Sequence, residues 1–347
     1  MRKLHVIFLV WFVLLFAVAC GDKKTQDADS PGVVNVYTHR HYDTDKELFA
    51  AFTEATGIAV NVVSASADEL IQKLAMEGER SPADVLITVD AGRLVKAKEM
   101  NLLQPVSSAL LNSHVPVHLR DADGNWFGLT QRARVFVYAK DRVKAEELVS
   151  YESLADPRWK GKILIRSSDN IYNQSLLASI IAHQGEEAAA VWAAGIVANM
   201  AVPPKGGDRD QIKAVAAGTG DIAIVNTYYF GKMAVEGDEE ERKLAEGLGV
   251  FFPNQTDRGT HVNISGAGVT RYAPNRQNAI RFIDYLASNE AQAKFAQANY
   301  EYPVKPGVAI APILESWGTF KADELPLENL GTFNAAAVKV FDRAGWK

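Results

Sequence analysis

The stretch VVNVYTHRHYDTDKELFAAFTEATGIAVNVV, residues 33–63, reads as one complete strand–helix–strand unit. Residues 33–37 are an apolar, valine-rich run of strand length. Asp43 and Thr44 are the residue types that open helices, and Leu48, Phe49 and Phe52 then recur on one helical face. Gly57 stands where a helix ends in a left-handed turn, and residues 58–63 form a second apolar strand. The pattern continues outward with a short amphipathic helix over 68–76, Leu70, Ile71 and Leu74 inward. A strand over 83–88 and a helix through Leu94 and Ala97 follow. Strands alternating with helices predict a parallel sheet with helices on both faces, the α/β class.

The middle of the chain repeats this grammar. Strands are predicted at 135–139, 162–165 and 221–225, and helices at about 173–183, 186–199 and 210–217. The segment HVNISGAGVT, 261–270, has a strand pattern with a glycine-softened bend, and helices cover 275–287 and 290–299. The chain therefore holds two α/β units, with late segments that must join their sheets. Its 347 residues are enough for two lobes. These are expected to comprise 33–131 with 264–305, and 132–263 with 306–347. Strands near 128–131 and 261–265 are the hinge candidates, and a cleft between hinged lobes is a common place for a small ligand.

Hydrophobic residues make up 48% of the chain, charged residues 23%, and the net charge is −5. That is a globular composition. It argues against a general nucleic-acid binder, which needs a basic face. Arg2 and Lys3 precede an apolar run over 6–19, of signal-segment length and short for a membrane span. The run ends in Ala17-Val-Ala-Cys20, small residues before a cysteine as in bacterial lipoproteins, although leucine is commoner at the Ala17 position. Residues 1–19 are read as a signal segment and Cys20 as a lipidated mature N-terminus, anchored to a membrane outside the cytoplasm. An ordinary cleaved signal with an incidental cysteine is the alternative. Residues 20–32 have little to bury and read as a flexible tether. Cys20 is the only cysteine, so no disulfide within the chain is possible and no thiolate metal cluster is expected.

Four clusters could carry chemistry: Arg40-His41-Tyr42, Tyr172 within SSDNIYNQS (167–175), Tyr228-Tyr229 where the 221–225 strand ends, and Gln131-Arg132-Ala-Arg134 at a hinge candidate. Ligands of open α/β sheets bind beyond the carboxyl ends of strands. All three aromatic clusters follow predicted strands, so they have the topology to meet. Each also has a packing reading. His41 and Tyr42 could be a surface pair, Tyr172 a half-buried ring under a loop, and Tyr228 and Tyr229 strand-end core aromatics. Arg132 and Arg134 could line a solvated edge. Paired phenols are a poor acid–base couple, because a free phenol ionises near pH ~10. They are good donors for a hard, highly charged cation, whose field removes their protons. An extracytoplasmic hydrolase finds no support: there is no G-x-S-x-G elbow, no H-E-x-x-H motif, and no cysteine in the folded part.

The segments VYTHRHYDTD (36–45), SPADVLITVD (81–90), QRARV (131–135), NIYNQS (170–175), NTYYF (226–230) and NISGAGV (263–269) resemble periplasmic ferric-iron-binding proteins of ABC transporters, of the FutA and FbpA type. The likeness runs from about Val33 to the C-terminal region. A His-Tyr pair, a later Tyr and a Tyr-Tyr pair resemble the subgroup that uses one histidine and four tyrosines. The resemblance implies a two-lobed periplasmic-binding-protein fold of class II type and ferric iron as cargo. It implies His41, Tyr42, Tyr172, Tyr228 and Tyr229 as ligands. Arg132 would offset the surplus negative charge of four phenolates, and no carbonate or phosphate would be needed. The partners implied are a membrane permease and its cytoplasmic ATPase, for a monomer that does no catalysis. The rival with the same fold binds an organic cation or oxyanion, such as a polyamine or sulfate.

Overall fold

The computed structural model describes residues 32–347; the expected signal segment, Cys20 and the tether before Gly32 lie outside the described residues. Strand β1 (Val33–Thr38) leads into helix α1 (Asp43–Thr56) and strand β2 (Ala59–Ser64), which lies parallel to β1. At the start of α1 the Tyr42 backbone N–H donates to Asp45 Oδ2 at 3.4 Å. At its end Gly57 takes φ +70°, and its N–H reaches the Thr53 carbonyl at 2.8 Å. That left-handed turn is why a glycine ends this helix. Next come α2 (Ala67–Glu77), β3 (Val85–Thr88) parallel to β1, α3 (Ala91–Glu99), α4 (Ala109–His114) and the 13-residue β4 (Phe127–Ala139).

The chain continues through β5 (Ile163–Leu164), α5 (Ile171–Gln184), α6 (Glu186–Asn199), α7 (Asp208–Ala216), β6 (Ile222–Asn226), α8 (Thr227–Glu236), α9 (Glu239–Glu246) and β7 (Leu248–Phe251). It closes with β8 (Val262–Val269), α10 (Arg276–Leu286), α11 (Asn289–Asn299), β9 (Tyr302–Pro303), α12 (Pro312–Ser316), α13 (Glu328–Thr332) and α14 (Asn334–Ala344). The strands follow one path, β2–β1–β3–β8–β4–β6–β5, with β7 and β9 also paired to β4. Among the described residues no helix is long and apolar enough to cross a membrane.

The expectation of a parallel sheet holds for the strands joined through helices and fails wherever β4 and β8 enter the sheet. β1 is parallel to β2 and β3, and β5 to β6. β8 runs antiparallel to β3 and β4, and β4 antiparallel to β6, β7 and β9. β4 and β8 run in opposite directions, and each lies against the direction of a neighbouring strand, β6 for β4 and β3 for β8. The separate elements expected at 128–131 and 135–139 are one strand. Its first half pairs with β8, with a register shift between Gly128 and Thr130. Its second half, from Arg134 to Tyr138, pairs with β6. The strand expected at 162–165 shrinks to the two residues of β5.

Successive side chains of a strand face opposite ways, and β4 uses this to feed three apolar cores. Phe127 and Leu129 join the core of β1, β3 and β8 with Phe52, Trp126 and Phe282. Phe136 joins Tyr151, Trp192 and Phe341. Val135 and Val137 turn the other way, toward Ile212, Phe230 and Met233. The glycines of β8 answer to close packing: a Cβ on Gly268 would stand 2.5 Å from the Asn125 carbonyl oxygen. Gly268→Ala should therefore lower unfolding free energy by about 1–3 kcal/mol in urea titration, and an unchanged midpoint would show that the strand yields there at no cost.

Candidate metal site

All four tyrosines expected at the site stand at helix N-termini. Tyr42 is the residue before α1. Tyr172 lies in the first turn of α5, where its N–H donates to Asn170 Oδ1 at 3.1 Å. Tyr228 and Tyr229 lie in the first turn of α8. This corrects their reading as residues at a strand end. β6 stops at Asn226, whose backbone N–H donates to buried Asp208 Oδ2 at 2.8 Å, and the helix starts at once. The start of a helix carries partial positive charge, which favours a phenolate over a phenol.

The three elements bring the four rings together. Tyr172 Oη is 3.2 Å from Tyr228 Oη. The rings of Tyr228 and Tyr229 are 4.3 Å apart, and Tyr42 meets Tyr228 edge-on at 6.2 Å. Tyr228 is 2% exposed and Tyr172 9%, while Tyr42 and Tyr229 are half-buried. His41 is placed differently. Its ring stacks on Tyr42 at 5.1 Å and is exposed, with Nδ1 3.4 Å from the His39 carbonyl oxygen. Burial raises the Tyr228 phenol well above its ordinary pKa, and charge on Tyr172, Tyr42 or Tyr229 would raise it further, against Arg132. Burial likewise raises Tyr42, with Tyr172 and Glu301 adding and Arg40 opposing. Tyr229 is raised by burial, Tyr172 and Asp208. Such phenols keep their protons until something of high positive charge replaces them. Among the described residues no group of three or more His, Cys, Asp or Glu side chains is placed to hold a metal.

Residues 80–322 match the bacterial extracellular solute-binding protein family. The chain belongs to that family. It is 52% identical over 333 residues to iron uptake protein A1 of Synechocystis sp., covering 95% of this chain and 92% of that one. It is 46% identical over 342 residues to iron uptake protein A2 of the same organism, covering 98% and 97%. The solved structure of Trichodesmium FutA in complex with iron and citrate superposes with a TM-score of 0.87 at 51% identity, over 91% of this chain and all of that one. The two-lobed fold of periplasmic solute-binding proteins is thus the fold of this chain.

Cations ring the tyrosines of this solute-binding protein, and most are already spoken for. Arg134 and Arg166 face the Tyr172 ring at 5.9 and 5.8 Å, but both pair with Asp208, at 2.7 and 3.6 Å. Arg40 lies 4.9 Å from the Tyr42 ring centroid and pairs with Asp45 and Glu301. Arg132 is different. It is buried 5.3 Å from the Tyr172 ring, donates Nη2 to the Val89 carbonyl, and leaves Nη1 without a partner. Lys232 lies 4.9 Å from the Tyr42 ring centroid with no carboxylate in ion-pair range among the described residues, and burial pulls its amine below the ordinary value. Sequence reasoning named Arg132 and missed Lys232. The signal was its spacing four residues after Tyr228, which shares a face once 227–236 is read as helical. His261 adds no charge: burial, then Arg134 and Arg132, push it down to about 3.

These shifts have a stability consequence. The folded pKa values of Tyr42, Tyr228 and Tyr229 lie above the unfolded ~10. The metal-free fold therefore holds their full contribution below pH ~10 and loses it as pH rises through the raised folded values. Alkaline difference spectroscopy should reveal a late-ionising tyrosine class that appears together with unfolding, and Tyr228→Phe should shrink it. A single class centred near pH ~10 would count against the site as described.

Proposed function

We propose that this protein captures ferric iron in the tyrosine cluster, in the periplasm, and delivers it to an ABC importer permease driven by a cytoplasmic ATPase. The observation that carries this reading is the meeting of four phenols from three helix starts, with two hydroxyl oxygens 3.2 Å apart. The names of the relatives, iron uptake proteins and a FutA bound to iron and citrate, support the same cargo. Ferric iron is hard and favours anionic oxygen donors. Tyr42, Tyr172, Tyr228 and Tyr229 supply these, and His41, after turning inward, adds a neutral nitrogen. Four phenolates exceed the ferric charge by one, and the Arg132 guanidinium offsets the excess. Reduction to the ferrous ion by a one-electron donor from outside the protein would lower the cation charge and weaken phenolate binding, which gives a route of release.

The lobes would be 33–131 with 264–305, and 132–263 with 306–347. Tyr42 then comes from the first lobe and the other three tyrosines from the second, so the cargo lies in the cleft between them. The protein would act as a monomer, perform no catalysis, and be tethered through a lipid on Cys20. If Cys20→Ala still incorporates labelled lipid, that anchor is wrong.

Phenolate-bound ferric iron absorbs visible light by charge transfer. The purified folded part should therefore colour on addition of ferric citrate and release protons, with affinity falling in acid as phenols regain them. Tyr172→Phe, Tyr228→Phe and Tyr229→Phe should each bleach or shift the band. Arg132→Gln should keep the colour but lower ferric affinity about 10–100-fold. A protein that stays colourless and binds no iron would overturn the reading, and a polyamine or sulfate ligand would be the next to test.

A further inference from the structure

Behind Tyr42 lies a buried polar cluster that iron ligation does not itself require. Arg40 donates Nε to both Asp45 carboxylate oxygens at 3.0 and 3.1 Å. Its Nη1 donates to Ser265 Oγ at 2.7 Å, Thr130 Oγ1 at 3.2 Å and Glu301 Oε2 at 3.1 Å. Thr130 in turn donates to Glu301 Oε1 at 2.9 Å, and Asn299 Nδ2 donates to Oε2 at 2.5 Å. Arg40, Asp45, Thr130, Ser265, Asn299 and Glu301 are all buried.

The position of this cluster is informative. Thr130 and Ser265 are directly opposed in the β4–β8 ladder, at the register shift that follows Gly128. Arg40 is two residues before Tyr42, with its guanidinium carbon 4.9 Å from the Tyr42 ring centroid. Asp45 also accepts from the Tyr42 backbone N–H. Glu301 follows Tyr300, a non-glycine residue at φ +54°. Tyr300 packs on α8 so closely that a Cβ on Gly231 would stand 3.0 Å from the Tyr300 Cβ. One residue further on, Tyr302 pairs with Gln131 of β4. A single turn thus touches the helix of Tyr228 and Tyr229, the long strands, and the guanidinium under Tyr42.

We propose that Arg40 and Glu301 are positioning residues of the site, which lock the Tyr42 phenol to the β4–β8 crossing so that Tyr42 reaches the cargo in one lobe geometry only. This rests on the ferric-iron reading above. A buried pair of this kind is a weak source of stability, and in some proteins it serves instead to fix one geometry. Its effect on iron should therefore run through Tyr42, whereas a general structural role would act on every ligand alike.

A double-mutant cycle separates the two roles. Ferric affinity is measured by competition with citrate, following the visible band, for wild type, Glu301→Gln, Tyr42→Phe and the double variant. Glu301→Gln keeps the shape of the side chain and removes its charge. It should lower affinity about tenfold in the wild-type background, and by less than about twofold once Tyr42 is phenylalanine. Equal losses in both backgrounds, or no loss in the first, overturn the assignment while leaving the iron reading intact. A wild type that shows no band overturns the iron reading and this assignment with it. If circular dichroism finds Glu301→Gln unfolded, Ser265→Ala goes through the same cycle. It removes one acceptor of Arg40 and leaves both carboxylates in place, and the same non-additivity is expected.

Discussion

Two phenol oxygens 3.2 Å apart, on Tyr172 and Tyr228, are tolerable only while at least one proton lies between them. Burial raises the Tyr228 phenol, and charge on Tyr172 would raise it further, because like charges at that distance repel strongly in a buried setting. Tyr42 and Tyr229 extend the same constraint to four groups. The surroundings can be read as answers to it. Three helix starts put partial positive charge beside the rings. Arg132 sits against Tyr172 and Lys232 against Tyr42, each without a carboxylate in ion-pair range among the described residues. Protons keep the buried phenols uncharged, and on the ferric reading a cation of high charge displaces them.

The fold supplies this arrangement by threading one strand through both α/β units. β4 contributes to three apolar cores, and alternate side chains keep its second half fixed on both faces. It also carries Arg132 toward Tyr172, and Arg134 to the Asp208 that holds Asn226 at the start of α8. The strand that joins the units is therefore also the strand that orients the tyrosine-bearing helices.

Local features were the legible ones. The β1–α1–β2 unit could be read from valine runs, the Leu48, Phe49 and Phe52 stripe and Gly57, because each depends on residues a few positions away. The tyrosine clusters could be found by residue type and by their position after strands. Their placement on the first turns of helices was within reach as well: Asn170 and Asn226 are of the residue type that precedes helices, yet the apolar run into Tyr228-Tyr229-Phe230 reads equally as a strand end. Strand direction was out of reach. It is set by pairs such as Arg132 with Asn263, whose contact no local pattern records. Lys232 needed both the phase of α8 and the arrival of Tyr42 from the other end of the chain, so neither fact alone marks it. The exposed setting of His41 is of the same kind, since only its neighbours in space decide which way the ring turns.

The division of the four tyrosines among elements has a consequence for order. Tyr172, Tyr228 and Tyr229 come from α5 and α8, which flank β5 and β6, and their mutual contacts do not involve β1 or α1. Tyr42 alone comes from the β1–α1 junction, and it meets the others through the edge of Tyr228 and the amine of Lys232. On the ferric reading, three phenols are already assembled on one side, and the fourth arrives with the opposite unit. A cation held by three donors would gain its last phenolate only when Tyr42 swings in, so the free energy of that bond is also the free energy that favours the closed arrangement. A ligand that bound the three tyrosines without engaging His41 or Tyr42 would have no differential contact with the two arrangements through these donors and would shift nothing through them. On that reading, coupling between cargo and shape would run through the His41-Tyr42 junction, and the residues that hold Tyr42 there would matter to it as well.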